Sequence, residues 1–133
     1  DSSTSRGLGD VYKRQHEEFE INKLTSDMQN FKLLRQQVIT YPDLQIGGPS
    51  SAWVNAALDE IEVQMKNRPP SIPALCLLGE DEEIVETSAV KNFCNDWETC
   101  NLILIPKARH DLLMERRTIL ADLFVELEKF ILN

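Results

Sequence analysis

The sequence predicts an α/β fold, and one that forms the end of a larger protein. Three observations carry this. Two apolar runs without charge, at 72–78 and 102–105, suit strands buried on both faces, as in parallel sheets. Helical periodicities alternate with them, giving strand, helix, strand, helix: one βαβ unit and a closing helix. Two further helical segments precede this unit, as an insertion would. Two parallel strands do not make a stable sheet alone, so more strands are expected elsewhere in the parent protein.

Composition narrows the class. The chain has 133 residues, with 14 basic and 22 acidic side chains and a net charge of -8. That balance excludes a basic nucleic-acid footprint. No apolar run approaches the ~18 residues of a membrane-spanning helix. Cys76, Cys94 and Cys100 are odd in number and lack metal-ligand spacing, so neither a disulfide scaffold nor a zinc module is expected. A reducing compartment fits them better.

Residues 1–15, DSSTSRGLGDVYKRQ, have neither helical nor strand period and are set aside from the fold. The stretch SRGLGDVYKRQ, from Ser5 to Gln15, resembles the in-frame translation of a transposon adapter used in sequencing libraries. The natural protein would then start near His16, at a random break in a gene. The tail carries a net +1, so the remainder is at -9. Gly7 and Gly9 are no phosphate loop, because no strand precedes them and no helix pattern follows.

From His16 onward two regions are expected: a partial helical cap over 16–70 and a core over 71–133. In the first, Ser26 and Gln29 suggest a capping box. Met28, Phe31, Leu34 and Val38 follow at helical spacing. Tyr41-Pro42 ends that helix. Gly47-Gly48-Pro49 turns into a second helix, with Pro49 suited to the first helical position. Trp53, Ala57, Ile61 and Met65 line one face of it, and Asn67-Arg68-Pro69-Pro70 breaks it. In the core, 88–97 reads as a helix between the two strands. Leu120, Leu123, Phe124, Leu127, Phe130 and Ile131 form an amphipathic terminal helix.

Ligands of open α/β sheets bind beyond the carboxyl ends of the strands. Two loops leave such ends. The first, Gly79-Glu80-Asp81-Glu82-Glu83-Ile84-Val85, holds a carboxylate cluster. The second, Pro106-Lys107-Ala108-Arg109-His110, holds a histidine. A carboxylate accepting the Nδ1 proton of His110 would orient the ring and leave its other nitrogen as a general base. Against this stands the plainer reading of an acidic run as solvated surface. His110 and Glu115 make no HExxH pattern, and no metal site is expected. Cys76 reads as core, and Cys94 and Cys100 as ordinary thiols. A nucleophilic serine is absent: no G-x-S-x-G elbow occurs.

Residues from about Phe19 to the end resemble the C-terminal half of bacterial α/β-hydrolases, in particular lysophospholipases of the serine-aminopeptidase and monoacylglycerol-lipase-like group. The resemblance is carried by Asn22-Lys23-Leu24-Thr25, by Gly47-Gly48-Pro49 with Trp53, and by Leu77-Leu78-Gly79 through Glu82 to Ile84-Val85. It continues in Phe93-Cys94, Ile105-Pro106, Ala108, and His110-Asp111-Leu112-Leu113 with Glu115. It implies an α/β-hydrolase C-terminal fragment, with part of a helical cap and the last two parallel strands with their helices. His110 matches the catalytic histidine. The acid matches Glu82, where the usual pattern has Asp, with Asp81 as the alternative one residue away. The serine and oxyanion-hole amides would lie upstream of His16, leaving this fragment inactive.

The same resemblance implies a serine hydrolase of the acyl ester of lysophospholipids or monoacylglycerols, needing no cofactor. Trp53, on the apolar face of the cap, is the candidate to wall an acyl pocket. The protein would be bacterial, cytoplasmic or peripheral to the inner membrane, although net charge -9 opposes simple attachment to anionic lipid. Two alternatives stand beside this: another activity on the same scaffold, such as aminopeptidase, or a non-catalytic interaction domain whose acidic loop is a partner surface.

Overall fold

A computed structural model describes residues 18–44 and 48–132. The adapter-like stretch lies outside them, as do His16 and Gly47. The chain divides into two compact units. One takes residues 32–67 together with the stretch before Asn22. The other takes residues 22–31 and 68–133. The sequence-based division at residue 70 therefore differs over 22–31, a segment that groups with the core.

In the first unit lie most of helix α1 (Met28–Thr40), a short 3-10 turn at Pro42–Leu44, and helix α2 (Ser51–Lys66). The expected Ser26–Gln29 box gives way to a different cap. Asp27 receives the Asn30 N–H on Oδ1 at 2.8 Å, a competent N-cap. The Ser26 hydroxyl is turned instead to Glu115. Helix α2 starts two residues later than expected. Ser50 is its N-cap, accepting the Trp53 N–H at 3.2 Å, so Pro49 stands just outside the helix. No residue of α2 is buried, and Trp53 is 63% exposed.

The second unit is the α/β part. Strand β1 (Ala74–Gly79) pairs in parallel with β2 (Cys100–Ile105), in register from Ala74 opposite Cys100 to Gly79 opposite Ile105. Helix α3 (Thr87–Asp96) connects them and packs on β2; helix α4 (Arg117–Leu132) packs on both strands. Glu86 caps α3 through the Ser88 N–H. These elements match the expected order.

The strands are less covered than their composition suggests. Only their carboxyl ends are buried, at Leu78 and Gly79 and at Ile105, while Leu104 is 42% exposed. A sheet of two strands has too few neighbours to close over its own faces. The core sits at those same ends. Ile105, Ala108 and Ile119 are packed together, with Leu77, Ile103 and Leu112 against them. Burying one such aliphatic side chain contributes about 1.5–3 kcal/mol. The loop after β2 is thus held by apolar packing through Ala108, two residues before His110.

Candidate active site

Gly79 and Ile105, the last residues of the paired strands, launch the two loops side by side. The loops are hydrogen-bonded to each other: Glu80 N–H donates to Ile105 O at 3.0 Å, and Asp81 N–H to Ala108 O at 2.9 Å. This closeness requires glycine at 79. A Cβ there would lie 2.4 Å from Ala108 O and 2.5 Å from Arg109 O, both backbone atoms. Lys107 turns the second loop with φ of 59°, a left-handed conformation unusual for a residue with a side chain.

Across this junction His110 Nδ1 lies 2.7 Å from Glu82 Oε2. The Glu82 side chain is 3% exposed and the His110 side chain 37%. Glu82 uses its other oxygen within its own loop, where Oε1 accepts the N–H groups of Ile84 at 2.5 Å and Val85 at 3.1 Å. One oxygen fixes the carboxylate while the other addresses the ring. The longer side chain of Glu is accommodated by this fold-back onto the loop backbone. Burial pushes the Glu82 carboxyl up, but the Ile84 N–H, the His110 ring and the Val85 N–H outweigh it and hold it below its ordinary value of 4.5. An ionised carboxylate only accepts, so Nδ1 carries the shared proton. That leaves Nε2 of a neutral ring as a base.

The other expected residues fall as follows. Asp81 is exposed and enters the junction through its backbone N–H, not its carboxylate. Glu83 forms an exposed ion pair with Lys23 at 3.2 Å, a contact of little energetic weight. Trp53 lies on α2, in the other unit. Ser50 caps α2, Ser88 bonds Glu86, and Ser26 bonds Glu115. Cys76, Cys94 and Cys100 are free thiols. Burial first, then the Cys76 thiol beside Cys94 and the Cys94 thiol beside Cys100, pushes Cys94 and Cys100 up, which keeps them protonated and poorly nucleophilic. Among the described residues no group of three His, Cys, Asp or Glu is placed to hold a metal ion.

Three buried polar residues support the histidine loop: Asn22, Thr25 and Glu115. Asn22 Oδ1 accepts the N–H groups of Leu24 and Thr25, and Thr25 Oγ1 donates to Met114 O at 2.6 Å. The His110 and Asp111 N–H groups donate to Lys23 O and Leu24 O at 3.3 and 2.8 Å. The Arg109 guanidinium holds Asn22 O and Thr25 O. In the sequence, Asn22 and Thr25 stand out as points of resemblance, and Glu115 as one more and as half of a rejected HExxH pattern. The Asn22–Thr25 spacing, typical of a side chain closing a turn on its own backbone, is the one local signal that marks this support.

No protein-family profile matches the chain. The fold is that of the C-terminal part of an α/β-hydrolase, a two-stranded parallel sheet with its flanking helices. The crystal structure of a soluble variant of monoglyceride lipase from Saccharomyces cerevisiae, in complex with a substrate analogue, superposes with a TM-score of 0.66. That match covers 96% of this chain and 48% of the lipase chain, at 14% identity. In sequence, the chain is 26% identical over 122 residues to a protein named probable lysophospholipase L2 from Haemophilus influenzae. The alignment takes in 91% of this chain and 38% of that protein. The chain thus spans less than half the length of either, and both are named as lipid ester hydrolases.

Proposed function

We propose that this chain supplies the acid–base half of a serine hydrolase that cleaves the acyl ester of lysophospholipids or monoacylglycerols. The observation that carries the reading is the Glu82–His110 pair, 2.7 Å apart at neighbouring strand ends. The names of the two similar proteins supply the substrate class. In the parent enzyme a serine upstream of this chain attacks the ester carbonyl. His110 Nε2 takes the serine proton and returns it to the leaving alcohol, while Glu82 holds the ring and stabilises its protonated form. Residues 32–67 serve as part of a cap, and Trp53 walls the acyl pocket. The chain alone, lacking the serine, is inactive. No helix among the described residues is long and apolar enough to cross a membrane.

The partner-surface reading of the acidic loop has less support, because Glu82 is covered and engaged on both oxygens. The test is hydrolysis of a lysophospholipid and a monoacylglycerol by the gene extended upstream of His16. Wild-type turnover with a loss of at least about 10³-fold in His110→Ala is expected. Retained turnover in that variant overturns the assignment of the base.

A further inference from the structure

We propose that Glu115 is a positioning residue for the Glu82–His110 pair, clamping the histidine loop through the Arg109 amide onto Ser26. The proposal rests on the reading of His110 as the base. Glu115 is fully buried, 0% exposed. A carboxylate in such a place is retained only when hydrogen bonds replace its water, and here four do. Oε1 accepts the N–H of Ser26 at 3.0 Å and of Arg109 at 2.8 Å. Oε2 accepts the Ser26 hydroxyl and the Arg116 N–H at 3.4 Å. Arg116 Nε in turn donates to Ser26 Oγ at 3.0 Å. One side chain thus joins segments 89 positions apart in sequence.

The target of the clamp is what gives it a role beyond stability. Arg109 is the residue immediately before His110, and its amide is held by a charge-assisted bond of the stronger class. The His110 amide itself has a longer tie, to Lys23 O at 3.3 Å. Lys107, three residues before His110, adopts the left-handed turn. Without the Glu115 carboxylate the loop keeps its apolar anchor at Ala108 but loses the bond that fixes its direction into His110. Glu115 touches neither imidazole nor ester; it acts through Arg109.

Two substitutions separate positioning from bulk stability. Glu115→Gln keeps the acceptor oxygen that holds both amides, whereas Glu115→Asp is one methylene short of reaching them. The experiment measures kcat and KM on a monoacylglycerol for the upstream-extended enzyme carrying each, with His110→Ala as control. The imidazole Nδ1–H proton resonance and the folded fraction by circular dichroism are followed in the same samples. Glu115→Asp, folded, is expected to lose about 10²-fold in kcat, the penalty of a misplacement near 1 Å. KM should stay within about twofold and the Nδ1–H signal should disappear; Glu115→Gln should restore both kcat and the signal. A folded Glu115→Asp with wild-type kcat and an unchanged Nδ1–H signal overturns the proposal, as does a loss confined to melting temperature. Full turnover in His110→Ala is a separate failure, of the base assignment, and the Nδ1–H signal then still reports whether Glu115 holds the pair.

Discussion

Glu82 divides its two carboxylate oxygens: one is fixed by backbone N–H groups and the other faces a ring nitrogen of His110. The ionised state of Glu82 is therefore part of the fold. Its pKa is held below 4.5 in the folded protein. The stabilisation is present in full above the unfolded value and is lost as pH falls through the folded one. Urea unfolding of the upstream-extended enzyme across the acid range should show wild type losing its advantage over Glu82→Gln below about pH 4.5; a pH-independent difference would contradict this. The thiols behave in the opposite sense. Burial raises Cys94 and Cys100, so the folded state favours their neutral form. Alkylation by iodoacetamide at neutral pH should be slow in the native protein and fast after unfolding. Equal rates would show that burial does not protect them.

At the level of elements, the site depends on how closely two loops approach. Gly79 has no Cβ to collide with Ala108 O and Arg109 O. Gly79→Ala should therefore push the histidine loop off β1, at a cost of about 1–3 kcal/mol from overpacking. It should also lower kcat of the extended enzyme, read from melting temperature and turnover together. Wild-type values in both would mean the loops tolerate separation. The strands, their order and the helices α3 and α4 were legible because apolar runs and a period of 3.6 are local signals. The acidic loop and His110 were legible because they fall where strands end. The capping of α1 was not, since Ser26 and Asp27 are equally competent caps and the choice is made by Glu115, far away in sequence. The left-handed Lys107 and the full burial of Glu115 carry no local signal either, because a charged residue in sequence reads as surface.

On the scale of the whole chain, large apolar side chains remain open to solvent in each unit. Trp53, Leu58 and Ile61 on α2 and Phe124, Ile131 and Leu132 on α4 are all more than half exposed. The chain spans 38% and 48% of the two hydrolases it resembles. The 133 residues alone should self-associate and bind an apolar dye. A cooperative unfolding transition with well-dispersed amide signals would contradict that. The parallel pair β1–β2 carries Glu82 and His110 on the two loops that leave its carboxyl end. The central claim is that Glu82, not its neighbour Asp81, serves His110 in ester hydrolysis. It is tested most directly by comparing Glu82→Gln with Asp81→Asn in the upstream-extended enzyme on a lysophospholipid or monoacylglycerol. A fall in kcat of about 10²-fold or more for Glu82→Gln is predicted, with Asp81→Asn within about threefold of wild type. A larger loss for Asp81→Asn, or wild-type turnover in Glu82→Gln, would contradict it.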